Sequence, residues 1–208
     1  MPLHSIINPN SATQIYVWKI TETFEDLFDS INLTDISLLR LNTMRSGLHQ
    51  LGFLSVRMLL LEAGYSDADL QYLNDGKPIL IDNKYISISH SHYFSSIAIS
   101  DYPIGIDIEI VKDKILKIAP RFMNTNHLKN LSEINAIKKA TVVWGIKESI
   151  FKIKNEKGIS FLDHIEEDEF DLRDKKATAI LDFENQKEFF RFEFEEIEDY
   201  MIVWGFNL

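Results

Sequence analysis

Gly105-Ile106-Asp107-Ile108-Glu109 alternates isoleucine with acid. Side chains along a strand alternate between faces, so Asp107 and Glu109 share one face and Ile106, Ile108 and Ile110 the other. The period of two sets a β-strand here. Two neighbouring carboxylates repel each other, which costs free energy unless a cation sits between them. Oxygen ligands of this kind suit Mg²⁺ and leave room for phosphate oxygens. The plainer reading is a solvated sheet edge that happens to carry acids. Gly105 favours the first reading slightly, because glycine in a strand lets another group approach the backbone.

Working outward, Tyr85–Ser91 and Ile97–Ser100 read as strands on one side, with Pro78–Ile81 before them after a turn, Asn74-Asp75-Gly76-Lys77-Pro78. In Tyr85–Ser91, Ser87, Ser89 and Ser91 share one face, and Ile86, Ile88 and His90 the other. Upstream, residues 14–20 alternate as a strand and a helix is expected from Thr21. Residues 34–63 keep helical spacing, with Gly47 and Gly52 as interruptions and Gly64 as a cap. Downstream, helices are expected at 114–122 and 132–154, and strands at 177–183, 188–196 and 200–207.

Within 132–154, Val142, Ile146, Ile150 and Ile153 gather on one side, while Trp144, Lys147, Glu148, Phe151 and Lys152 form the opposite stripe. Charged residues opposite a core are ordinary, and Glu148 and Lys152 fit a surface i,i+4 pair. The aromatics in the stripe require either a second covering layer or a cleft.

The order of elements predicts an α+β fold of two halves, 1–103 and 104–208, although no residue-level repeat is visible. The 208 residues, 45% hydrophobic, are enough for a sizeable core. Zero cysteines exclude disulfides, thiol catalysis and zinc–thiolate sites. A net charge of -10 argues against nucleic acid as a partner. No apolar run is long enough to span a bilayer, and the start of the chain lacks a signal-peptide layout. A cytoplasmic monomer that does not bind membranes is expected.

Taken together, Gly76-Lys77-Pro78, Ile88-Ser89-His90-Ser91, Gly105-Ile106-Asp107-Ile108-Glu109 and Trp144-x-x-Lys147-Glu148-x-x-x-Lys152 resemble the 4′-phosphopantetheinyl transferase superfamily. The resemblance runs from about Arg57 to Phe161. It is to the larger, surfactin-synthetase-activating branch, which serves peptide and polyketide synthases. It implies two similar α+β halves related by a pseudo-twofold axis, with the active site between them. The implied reaction moves the 4′-phosphopantetheine arm of coenzyme A onto a serine of an apo acyl or peptidyl carrier protein and releases 3′,5′-ADP. By resemblance, Asp107, Glu109 and Glu148 hold Mg²⁺, and Glu148 is also the general base. His90 and Lys152 contact coenzyme A phosphates and act in catalysis. Lys77, Pro78 and Ser89 border the nucleotide, Lys147 lies at the pyrophosphate or carrier side, and Arg57 is chosen for the 3′-phosphate. Lys112, Lys114, Lys117 and Arg121 are a candidate carrier patch, with a solvated helix face as the alternative. Two departures stand out: Ser149 replaces a common alanine, and His127 stands where many members have an acid. The competing readings are a non-catalytic relative that binds coenzyme A or a carrier, and an unrelated Mg²⁺-dependent phosphate hydrolase.

Overall fold

A computed structural model describes residues 3–208. The chain divides into two compact units, Met1–Tyr102 and Pro103–Leu208. Each mixes helices with antiparallel sheet, so the α+β class holds.

The first unit contains β1 (Leu3–Asn10), β2 (Thr13–Lys19), α1 (Phe24–Asp29), α2 (Asp35–Thr43), α3 (Gly47–Glu62), β3 (Leu70–Tyr72), β4 (Pro78–Leu80), β5 (Tyr85–Ser91) and β6 (Phe94–Ser100). Its main sheet has the order β1-β2-β6-β5, and β3 pairs with β4. Helix α1 starts later than Thr21 because Thr23 and Asp26 form a reciprocal capping box. The 34–63 stretch breaks at Met44–Ser46, and Gly47 opens α3 rather than interrupting it. Gly52 lies inside α3. A Cβ there would sit 3.0 Å from the His90 ring, so its absence makes room for that imidazole. Tyr16, Trp18, Leu54, Leu59, Ile86 and Ile97 centre the core between α3 and the sheet.

The second unit contains β7 (Ile104–Ile110), α4 (Lys114–Ile118), α5 (Glu133–Lys154), β8 (Ile165–Glu167), β9 (Lys176–Phe183), β10 (Gln186–Ile197) and β11 (Tyr200–Asn207). The sheet order is β7-β11-β10-β9-β8, so β7 and β8 are its two edges. Asp107 pairs with Val203 and Glu109 with Met201. Helix α5 starts at the Ser132 cap and ends at Asn155, whose φ of 53° stops the helix in the left-handed region. Val142, Ile146, Ile150 and Ile153 pack on Phe190, Phe192, Phe194 and Val203.

Two glycines set how closely α5 approaches the sheet. A Cβ at Gly105 would meet the Ser149 carbonyl oxygen at 2.1 Å, and one at Gly145 would meet Val203 Cγ2 at 2.7 Å. Helix backbone therefore lies directly on the face of β7 that carries Gly105, Asp107 and Glu109. Asp107 is only 3% exposed, so that face is not the solvated edge of the plainer reading.

The aromatic stripe is resolved in favour of a covering layer. Trp144 makes edge contacts with Phe122 and Phe161, and Phe151 with Phe161. Ala119, Phe122 and Met123 form the buried part of that layer.

Candidate active site

In the second unit, the structure brings Asp107, Glu148 and Lys152 together. Asp107 is delivered by β7 and the other two by the last turns of α5. The Lys152 ammonium donates to Asp107 Oδ1 and to the Ile106 carbonyl, each at 2.8 Å. Its main partner is therefore across the helix–sheet contact, not the i,i+4 glutamate. Burial pushes the Glu148 carboxyl above the ordinary glutamate range, the charge of Asp107 pushes it further, and Lys152 opposes both. The charge of Asp107 thus disfavours the ionised form of Glu148, the condition that a cation relieves. Both are oxygen donors of the kind Mg²⁺ takes. Among the described residues, however, no group of three or more metal-type ligands gathers. Glu109 is half-buried beside Asp107 on the same strand.

Lys147 corrects the stripe expected from helical spacing. It is 1% exposed, and its ammonium meets Glu167 Oε2 and the Ile165 carbonyl, each at 2.5 Å. Burial lowers its pKa, and the charge of Glu167 opposes that shift. His127 Nδ1 lies 3.4 Å from the other oxygen of the same carboxylate. A Lys147 side chain turned to solvent is therefore not what the fold provides.

In the first unit, Arg57, Pro78 and His90 line one cavity of about 350 Å³, together with Arg40, His49 and Tyr72. Its wall holds cationic and aromatic groups, the combination that receives an anionic, ring-bearing ligand. Arg57 is 2% exposed. It donates to Asp67 Oδ1 at 3.0 Å and stacks on Phe53, its guanidinium carbon 3.5 Å from the ring centroid. Its charge is committed inside the unit. Asp67 also accepts from the Thr34 amide, the Thr34 hydroxyl and the Ser37 hydroxyl, which ties the start of α2 to α3. Arg40 lies 4.2 Å over the Tyr72 ring and is exposed. His49 is its neighbour in the cavity and packs edge-on against His90 at 6.1 Å. Sequence reading missed His49. It chose Arg57 for the 3′-phosphate, not Arg40. Ser89 lies on the opposite, buried face of β5, and half-buried Lys77 ends the loop between β3 and β4.

Among the described residues, no helix is long and apolar enough to cross a membrane. The family model described as the 4′-phosphopantetheinyl transferase superfamily matches residues 103–203. Three curated relatives carry the same description. The chain is 35% identical over 80 residues to the 4′-phosphopantetheinyl transferase gsp of Aneurinibacillus migulanus, a match covering 37% of this chain and 34% of that protein. It is 34% identical over 92 residues to psf-1 of Bacillus pumilus, covering 42% and 39%. It is 33% identical over 118 residues to ffp of Bacillus subtilis, covering 53% and 52%. The chain thus spans between a third and about half the length of these relatives. The superfamily that the motifs resemble is thus the one whose model matches residues 103–203, the stretch that holds the Gly105–Glu109 and Trp144–Lys152 motifs.

Proposed function

We propose that the protein is a Mg²⁺-dependent 4′-phosphopantetheinyl transferase that modifies an apo acyl or peptidyl carrier protein. The observation that carries this reading is the grouping of Asp107, Glu148 and Lys152 on β7 and α5, inside the region that matches the superfamily. The carrier serine oxygen attacks the β-phosphorus of coenzyme A, the bond to the bridging oxygen breaks, and 3′,5′-ADP leaves.

Such a step depends on positioning and charge neutralisation more than on covalent help. Glu148 accepts the serine proton, and a carboxyl raised by burial suits a base better than an ordinary one. Lys152, held at the rim of the site by Asp107, offsets charge on the phosphates. Asp107, Glu109 and Glu148 are assigned to Mg²⁺, which when bound neutralises pyrophosphate oxygens. In the first unit, the cavity holding Arg40, His49, Pro78 and His90 is assigned to the nucleotide, with Lys77 next to Pro78 in the chain, while Ser89 faces away from it on the buried side of β5. Arg57 shapes that cavity from behind. The two halves, 1–103 and 104–208, work as one cytoplasmic monomer in this reading.

A second reading has one observation in its favour. No three-ligand metal group forms among the described residues, which suits a relative that binds coenzyme A or a carrier without transfer. Mass spectrometry of apo carrier proteins incubated with coenzyme A and Mg²⁺ decides between them. Gain of the phosphopantetheine mass supports transfer, and an unchanged carrier across an acyl and peptidyl panel rejects it.

A further inference from the structure

Helix α5 is fastened to both edges of its sheet by lysines five residues apart. Lys152 bonds an edge-strand carboxylate and an edge-strand carbonyl, Asp107 and Ile106 on β7. Lys147 does the same at the other edge, with Glu167 and Ile165 on β8. Five helical residues turn the side chain by about 140°, so the two lysines leave the helix in different directions. Glu148 sits on the segment between the two anchors. Glu167 is 4% exposed and has no part in the motifs read from the sequence.

We infer that Glu167 is a positioning residue, which holds Lys147 and thereby fixes the α5 turn that presents Glu148 to Asp107. The inference rests on the transferase reading for its kinetic consequence but not for its structural one. Two features separate Glu167 from a general stabiliser. Its carboxylate meets Lys147 one residue from Glu148, and Lys147 has almost no solvent to turn to instead. Its second oxygen faces His127 Nδ1 at 3.4 Å, so the segment 125–128 also bears on the same carboxylate. The buried pair constrains orientation more than it adds stability, since two apolar side chains of similar volume stabilise a core at least as well.

The test uses the full chain. In Glu167→Gln, amide hydrogen exchange should quicken across residues 145–152 while 136–142 stay as in the parent protein. Unchanged exchange at 145–152 overturns the inference whatever the activity. In turnover, Glu167→Gln should lower kcat about tenfold to a hundredfold with the KM for coenzyme A little changed. The double variant Lys147→Met, Glu167→Met should recover the melting temperature without recovering kcat. Recovery of both would make the pair merely structural and reject the inference. If the parent protein transfers nothing to any carrier, the transferase reading fails, while the exchange measurement still decides the positioning role.

Discussion

Lys152 and Asp107 are joined across the contact between α5 and β7, with 2.8 Å from ammonium to Oδ1. Asp107 is nearly buried and Lys152 about one-quarter exposed. The pair therefore lies between a surface ion pair and a fully buried one. Lys152→Ala should cost about 1–3 kcal/mol of stability, more than a solvated i,i+4 pair and less than a sealed one. Urea denaturation measures it, and a loss under the value for a surface pair would contradict the geometry.

Glu148→Gln preserves shape and removes the proton acceptor. Turnover should fall by about 10²–10⁴-fold, with folding unharmed. Steady-state transfer to a carrier protein, alongside a melting curve, checks both halves of that statement.

Gly105→Ala tests the close approach of α5. The added Cβ would be driven into the Ser149 carbonyl at 2.1 Å, and backbone yields poorly. A loss of about 1–3 kcal/mol is expected from overpacking. Transfer should fall too, because the displaced helix carries Glu148. An unaffected melting temperature would mean that the helix rides higher than described.

Arg40→Ala should weaken coenzyme A binding about tenfold, the worth of one charge-assisted contact. Dephospho-coenzyme A, which lacks the 3′-phosphate, should bind both forms alike. Calorimetry with the two ligands separates a phosphate contact from general damage to the cavity.

Asp67 gives a pH signature. Burial pushes its carboxyl up, but bonds from the Thr34 amide, Ser37, the Thr34 hydroxyl and Arg57 outweigh burial and hold it below the usual range. A depressed carboxylate stabilises the fold above its unfolded pKa and loses that contribution as pH falls through the folded one. The first unit should therefore weaken below about pH 4, the ordinary aspartate range. Asp67→Asn should flatten that acid limb while lowering stability at neutral pH.

Much of this was legible where periodicity is strong. The bounds of β5 and β11 match the expected strands residue for residue, and β7 and α5 lie within a residue or two of expectation. Strand β1 was not foreseen. Strands β3 and β8 have three residues each, too few to show a period. The failure at Lys147 is instructive. Helical spacing placed it beside Glu148 on a polar stripe, but its partner lies twenty positions away on β8. One signal was available: Ile165 and Glu167 share a face by alternation, so a buried Ile165 brings Glu167 in with it. His49 and Arg40 entered the cavity through the break at Met44–Ser46, which sets α2 and α3 as separate helices and which helical spacing alone did not locate.

Strand β7 opens the second unit, and among the described residues its only sheet neighbour is β11, almost at the other end of that unit. Asp107 cannot meet Val203 until the ribosome has passed nearly everything between them. Loops that long close late, and pairings so distant in sequence are slow to nucleate. During synthesis β9 and β10 can form their hairpin early, while β7 waits as an unpaired strand with isoleucines at every second position. The acid that anchors Lys152 is thus among the first residues of its unit to be made and among the last to be set in place.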